Sequence, residues 1–305
     1  DSCDVCDSNT LNDCLDYSIL LDADANLISF YALPEDLSVG SIFSGSDGVI
    51  TSGEAAINID GGWIGSLTSI VSQKGYWVIV SEPIELDVVN AVPISYDQDG
   101  EVLYDLSYGT NLLSYPFSGS GDIIQTIPEN IQSYLYAILG EGIAALNTES
   151  GWVGSLNTLT GTEGYWFLSN EDIQFSFNEP IESAVRSKMK LKSVPLEFSF
   201  SQSPNQGFYF VESALIDGEY LEEDDIIISL VDDQVIGSRY WQGSTTDVPA
   251  MGAYGDKSAK YYAKEGDKVE FKVFDSSRGV IFDMEVNGNS FWTNNGVSII
   301  SLSNV

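Results

Sequence analysis

Five short blocks of this chain occur twice, in the same order, and that duplication constrains the fold more than any other feature. Asn26-Leu-Ile-Ser-Phe-Tyr31 pairs with Asn111-Leu-Leu-Ser-Tyr-Pro116, Gly53-Glu54 with Gly140-Glu141, and Ala55-Ala-Ile-Asn58 with Ala144-Ala-Leu-Asn147. Gly62-Trp-Ile-Gly-Ser-Leu67 pairs with Gly151-Trp-Val-Gly-Ser-Leu156, and Gly75-Tyr-Trp77 with Gly164-Tyr-Trp166. The spacing is 85 at the first block and 89 from the Ala-Ala block onward, so the second copy carries an insertion of four residues between them. A fixed-order repeat of this length means two copies of one folding unit, each building the same core. We place them at 15–95 and 96–182.

Within each copy the apolar runs are short, β-branched or aromatic, and punctuated by Gly, Asp and Ser, as in Leu27–Tyr31, Ala55–Ile59, Gly75–Val80 and Glu85–Val89. That pattern predicts strands. A short helix is predicted after Asp36, around 37–43. Its counterpart is predicted over 127–139, where Pro128 suits a first helical turn and Ile131, Leu135 and Ile138/Leu139 share a face. Residues 196–305 do not repeat the copies. They alternate in short runs such as Leu196–Phe200, Phe208–Ser213, Ile226–Val231, Lys268–Phe274 and Val280–Val286, with turn signals every 8–12 residues. The expected fold class is mainly β: two tandem small β-rich domains, each with one short helix, then a C-terminal antiparallel β-sandwich, immunoglobulin-like in its strand spacing.

Charge divides the chain differently. Residues 1–185 hold 28 acidic side chains and one basic one, Lys74, whereas 186–305 hold 18 acidic and 11 basic. The step falls at the basic cluster Arg186, Lys188, Lys190 and Lys192, within a linker expected at 183–195 and closed by Pro195. The cluster reads either as a solvated linker or as a self-association element facing the acidic body of the same or a neighbouring molecule. A net charge of −34 repels nucleic acid and anionic lipid. No apolar run approaches the roughly 20 residues that span a bilayer, so no membrane span is expected.

The three cysteines, Cys3, Cys6 and Cys14, fall within an N-terminal segment of 14 residues. Three Cys in a chain with no His make a poor zinc site. One local disulfide in an oxidising compartment, with one thiol left over, is the expectation. Cys6–Cys14 or Cys3–Cys14 closes with less strain than Cys3–Cys6. A sequence that starts at Asp, with no Met or leader, is expected to be a mature secreted product.

Taken in order, Asn-Leu-Ile-Ser, a short helix, Gly-Trp and Gly-Tyr-Trp resemble a repeat of large secreted and cell-surface bacterial proteins, marine ones especially. There the first motif usually reads Gly-Trp-Asn-Leu-Ile-Ser; here Ala25 and Thr110 stand where the Trp would be. The stretch from Phe210 through Asp217-Gly218, Asp225, Val235–Arg239 and Lys272–Asp275 is similar to a β-domain that often follows such repeats. The resemblance covers about 160 residues of repeat and implies an extracellular or cell-surface protein. It does not specify an activity, because the repeat is an accessory module in many settings. Proteins of this kind commonly end in a sorting domain removed on export; a chain ending at Val305 without one fits a cleaved product or a trimmed one.

Three groups of residues are candidate sites. Trp63 and Trp152 follow Gly in loops and could stack on sugar rings, or cover the core edge. Asp97, Asp99 and Glu101 place carboxylates at alternate positions, and Asp217, Glu219, Asp224 and Asp225 lie in a nine-residue acidic run. Hard cations want several oxygens at short range, so calcium is the cofactor to weigh against a solvated acidic turn. Paired carboxylates are plentiful, but no nucleophile elbow, phosphate loop or metal triad is present, so no enzymatic activity is expected. The leading expectation is a secreted, surface-associated structural or adhesive protein that self-assembles into an extracellular array or filament. The alternative is a carbohydrate-binding accessory protein. The partners are further copies of the chain or cell-surface components, glycans among them, and not nucleic acid.

Overall fold

A computed structural model describes residues 14–94, 102–180, 191–255 and 258–304. The fold is mainly β, and no described helix is long and apolar enough to cross a membrane. The chain divides into two compact units. One holds the described parts of 1–141 and 157–188, and the other those of 142–156 and 189–305.

In the first copy the elements are β1 (Leu15–Leu21), β2 (Asp24–Ile28), β3 (Ala32–Leu33), α1 (Val39–Ile42), β4 (Gly48–Thr51), β5 (Glu54–Ile59), β6 (Gly62–Gly65), β7 (Tyr76–Val80) and β8 (Ile84–Pro93). They make a five-stranded sheet in the order β2-β7-β4-β5-β6 and a three-stranded sheet β1-β8-β3. Ile19, Phe30, Val39, Phe43, Val49, Ala56, Leu67, Tyr76 and Val88 are buried in one core. On β5, Ala56 is buried while Ala55, Ile57 and Ile59 face outward, the period of two expected of a half-buried strand.

The second copy repeats this plan with β9 (Tyr104–Leu106), β10 (Gly109–Leu113), β11 (Ser120–Asp122), α2 (Ile123–Thr126), α3 (Glu129–Gln132), β12 (Leu135–Leu139), β13 (Ala144–Thr148), β14 (Gly151–Gly154), β15 (Thr158–Thr160), β16 (Tyr165–Ser169) and β17 (Ile173–Phe175). β16 lies between β10 and β12, as β7 lies between β2 and β4. Leu112 faces Trp166 in the register where Leu27 faces Trp77. Hairpin β5–β6 pairs Ile57 with Ile64 and Asn58 with Trp63; hairpin β13–β14 pairs Leu146 with Val153 and Asn147 with Trp152. This register makes Gly53 the equivalent of Gly142 rather than of Gly140, with which the sequence blocks align it, and both Gly53 and Gly142 take positive φ.

The helix predicted over 127–139 is not formed as such. The counterpart of α1 is α2: the Val39 N–H bonds to the Thr68 carbonyl, and the Ile123 N–H to the Asn157 carbonyl. The Asp122 side chain caps α2 by accepting from the Ile124 N–H. α3 is the insertion, and Leu135–Leu139 is strand β12. Leu135, Ala137, Ile138 and Leu139 are all buried. A short apolar run buried on both faces carries no helical period of its own, which is why the spacing of Ile131, Leu135 and Ile138 misled.

The two copies join along a seam of reciprocal contacts in the first unit. Ser29 N–H bonds to the Thr162 carbonyl and Ser114 N–H to the Gln73 carbonyl, while Gly164 N–H bonds to the Leu27 carbonyl and Gly75 N–H to the Leu112 carbonyl. Each contact is matched by its image under exchange of copies, so the seam has an internal pseudo-twofold axis. Gly75 and Gly164 meet there: a β-carbon on either would lie 3.2 Å from the α-carbon of the other and under 3 Å from a backbone oxygen. Ala25, Leu27, Trp77 and Leu112 are buried together, with Trp166 packed against them.

The motif residues now have separate reasons. Asn26 and Asn111 close the turn before their strands by bonding residues 22 and 107 through both amide atoms. Leu and Trp fill the seam. Ser29 and Ser114 hydroxyls donate across it, to the Glu163 (2.7 Å) and Ser72 (2.6 Å) carbonyls. Tyr76 and Tyr165 hydroxyls accept from the Val71 and Thr160 N–H groups and hold the preceding loop.

These phenols set an alkaline limit. Burial raises the Tyr76 pKa from 10.0 to about 12, and burial also pushes Tyr104, Tyr115 and Tyr165 upward. A folded-state pKa above the unfolded value gives stability that is present below pH 10 and lost as pH climbs from 10 through 12. In a titration followed by phenolate absorbance, these four are expected to ionise together with loss of the circular dichroism signal. Independent titration near pH 10 in a still-folded chain would contradict it.

The second unit contains β18 (Gln206–Ile216), β19 (Glu219–Tyr220), β20 (Ile226–Val231), β21 (Gln234–Tyr240), β22 (Thr246–Met251), β23 (Glu270–Asp275), β24 (Val280–Gly288) and β25 (Val297–Ser303). The sandwich expected here is realised as one continuous sheet, β19-β18-β25-β24-β23-β20-β21, with β22 also paired to β18. β24 pairs β23 through Val280–Met284 and β25 through Glu285–Gly288, so a single strand passes from one flank to the other. The β18–β25 pair is parallel and the others are antiparallel. The two flanks share one core, including Tyr209, Val211, Ile227, Val248, Phe271, Val273 and Trp292.

Candidate functional site

The Trp candidates serve the fold first. Trp63 is half-buried against the first core, its ring beside α1: a β-carbon on Gly40 would lie 3.4 Å from its Cδ1. Trp152 is half-buried in the equivalent hairpin position. The acidic run divides into separate tasks. Asp225 is buried and accepts from the Glu222 and Ser276 N–H groups at 2.8 and 2.9 Å, closing a turn. Asp217, at positive φ, accepts from Arg278 (2.7 Å) and the Asn304 amide (3.0 Å), and both hold its carboxyl below the usual range. Asp224 pairs with Lys192, which also lies over the Tyr240 ring, 4.0 Å from its centroid. Glu219 is exposed on β19. Among the described residues no group of three or more carboxylate, Cys or His side chains is placed to hold a metal ion.

Asp97, Asp99 and Glu101, Cys3 and Cys6, and Arg186, Lys188 and Lys190 lie outside the described residues. Cys14 opens the described chain, so the expected pairing falls outside it as well. An open groove of about 720 Å³ on the second unit is lined by Lys268, Lys272, Asp283, Glu285 and Phe291 among others. Lys272 there is engaged by Asp283 at 3.2 Å and Asp233 at 3.7 Å.

One elaborate polar construction among the described residues was not foreseen from the sequence. Within the second unit, Asp247 is fully buried on β22 and reads the backbone around hairpin β13–β14. Its Oδ2 accepts from the Ala144 N–H (3.0 Å) and the Ser155 hydroxyl (2.7 Å), and its Oδ1 from the Ser155 N–H (2.8 Å). Arg239 on β21 pairs with the same carboxylate at 3.2 Å and donates to the Gly142 carbonyl. Burial pushes the Asp247 carboxyl up, against the lowering influence of Arg239 and the Ser155 and Ala144 donors. Phe210 lies against Gly154, where a β-carbon would come within 2.9 Å of the ring. A buried charge survives only when paired and fully hydrogen-bonded, and this one is. The arrangement is a carboxylate receptor made of two N–H groups and a hydroxyl, which holds a hairpin against a β-sheet. The signal that could have found it is an Arg and an Asp, eight residues apart, each the one charged residue of its strand.

The first copy carries the same receptor residues. Ala55, Ile57, Ile64 and Ser66 stand where Ala144, Leu146, Val153 and Ser155 stand in the second. In the second copy Ala144 and Leu146 are buried, whereas Ala55 is exposed, and Ile57, Ile59 and Ile64 are 52%, 50% and 61% exposed. With no carboxylate present, the Ala55 N–H donates to the Ser66 hydroxyl at 3.2 Å.

Compared with known proteins, the chain matches no family model, no curated protein and no solved structure.

Proposed function

We propose that this chain is a secreted, surface-associated structural or adhesive protein that assembles with further copies of itself, and that it is not an enzyme. The observation that carries this reading is the use made of the repeated motifs. Asn-Leu-Ile-Ser and Gly-Tyr-Trp are spent on joining module to module, and Gly-Trp-x-Gly-Ser-Leu on a hairpin that, in the second copy, receives another module's carboxylate. A chain whose most repeated residues make joints rather than a cleft suits a building element. The acidic composition supports an extracellular, saline setting, where counterions screen self-repulsion beyond roughly 8 Å. The reading includes a disulfide among Cys3, Cys6 and Cys14, with calcium as a candidate partner of the acidic surface.

The test is electron microscopy and sedimentation of the purified chain in saline, with and without calcium. Ordered oligomers or filaments that grow with concentration are expected. A chain that stays monomeric at high concentration in both conditions overturns the assembly reading.

A further inference from the structure

We infer that the outward face of hairpin β5–β6, formed by Ala55, Ile57, Ile59, Ile64 and Ser66, is a docking surface for the C-terminal β-module of a second copy of this chain. The inference rests on the assembly reading above and names the surface it would use.

The argument is one of equivalence. Hairpins β5–β6 and β13–β14 have one sequence pattern and one register. Within the second unit, the second hairpin is seated on a β-module that delivers Asp247 to Ala144 N–H, Ser155 N–H and Ser155 Oγ. The first hairpin presents Ala55 and Ser66 at the matching positions, and in the described structure neither is engaged by a carboxylate. Gly53, at positive φ like Gly142, sets a carbonyl where Arg239 would find one.

The first face is also the more apolar of the two. It carries Ile57, Ile59 and Ile64 where the covered face carries Leu146, Thr148 and Val153. Three half-exposed isoleucines on an otherwise acidic surface form a patch that burial would stabilise. Each chain therefore has two receptors and one module. If a module leaves its own hairpin for the first hairpin of the next chain, the contact is heterologous and leaves a free receptor at each step, so it propagates rather than closes.

The test uses the full chain in saline. Ile57→Glu and Ser66→Glu alter exposed positions, the second at the cost of the exposed Ala55 N–H bond to the Ser66 hydroxyl, and both are expected to keep the circular dichroism of the folded chain. Each is expected to weaken self-association of the wild-type chain at least tenfold, read by sedimentation velocity. A second arm uses Ser155→Glu, which sets a carboxylate against Asp247 and frees the module from its own hairpin. Combined with Ser66→Glu, which blocks its own first hairpin, that chain is expected to bind wild type one to one, and to lose the binding when the wild-type partner carries Ser66→Glu as well. Should Ser155→Glu not fold by circular dichroism, Leu146→Glu, which puts a charge at a buried position of the same hairpin, takes its place.

Assembly of wild type that is indifferent to Ile57→Glu and Ser66→Glu overturns the docking surface and leaves the assembly reading standing. A monomeric wild type that still binds the released module does the reverse. No binding by a folded released chain to a monomeric wild type overturns both.

Discussion

Replacing Trp77 with alanine is expected to cost roughly 3–5 kcal/mol, the usual range for emptying a buried Trp site. Trp77 is 1% exposed and stands in the seam with Ala25, Leu27 and Leu112, so its loss opens a cavity that two copies share. Ordinary domains are stable by only about 5–15 kcal/mol, so the first unit should unfold at a clearly lower denaturant midpoint. Trp166→Ala is expected to cost less, because Trp166 is only partly buried. The Trp77 indole N–H is buried without a hydrogen-bond partner, so Trp77→Phe sacrifices no bond and should restore most of the stability. An unchanged midpoint for Trp77→Ala would show that the seam does not hold the copies together.

The second large effect is expected at Asp247. Asp247→Ala leaves the Arg239 guanidinium, whose side chain is 7% exposed, without its counter-ion, and removes the acceptor of three hydrogen bonds. Breaking a buried pair from one side costs about 3–5 kcal/mol. The loss should appear in the second unit, with hairpin 142–156 gaining hydrogen exchange before the sheet does. The double variant Arg239→Met with Asp247→Leu removes both charges and should recover a large part of the loss. If the double variant is as damaged as the single one, the receptor's hydrogen bonds rather than the charge pair carry the site. Full stability of Asp247→Ala would mean that the hairpin is held by apolar packing alone.

Much of the architecture was readable in the residues. The duplicated blocks announced two copies of one β-rich unit, and short β-branched runs such as Ala55–Ile59 marked its strands, though not that Ala56 rather than Ile57 and Ile59 would face the core. The helix at 37–43 and its position after Asp36 were also legible, because a short apolar pattern is bounded there by polar residues. What failed was the stretch from Leu135 to Leu139, whereas Glu129–Gln132 is helical within the predicted range, with Pro128 at its start. Burial on both faces erased the period that separates strand from helix, and only pairing with Trp166 and Phe167 decides between them. The single sheet of the second unit was hidden for a related reason. Nothing local in Val280–Gly288 tells that its two halves pair with different strands.

The candidate site was less legible than the fold. Trp63 and Trp152 attracted attention by type, yet their Gly-Trp motifs matter as much through Gly154, Ser155 and their twins. The acidic run at 217–225 looked like one cluster, but its members point to different partners: Arg278, Asn304, Lys192 and a turn's own N–H groups. Ser155 and Asp247 are 92 residues apart. No spacing rule links a hydroxyl in one module to a carboxylate in another; only the tertiary fold brings them together.

The reciprocal seam between the copies sets a counting rule. A joint that uses the same surface twice is saturated once two units have met, because each has spent its Ser-and-Gly face on the other. A third unit brought to the pair finds no vacancy of that kind. Any longer series of these units must therefore grow in couples, alternating this closed joint with a second, dissimilar one. Its smallest repeating element would be the pair, and a unit added singly would carry one bare edge.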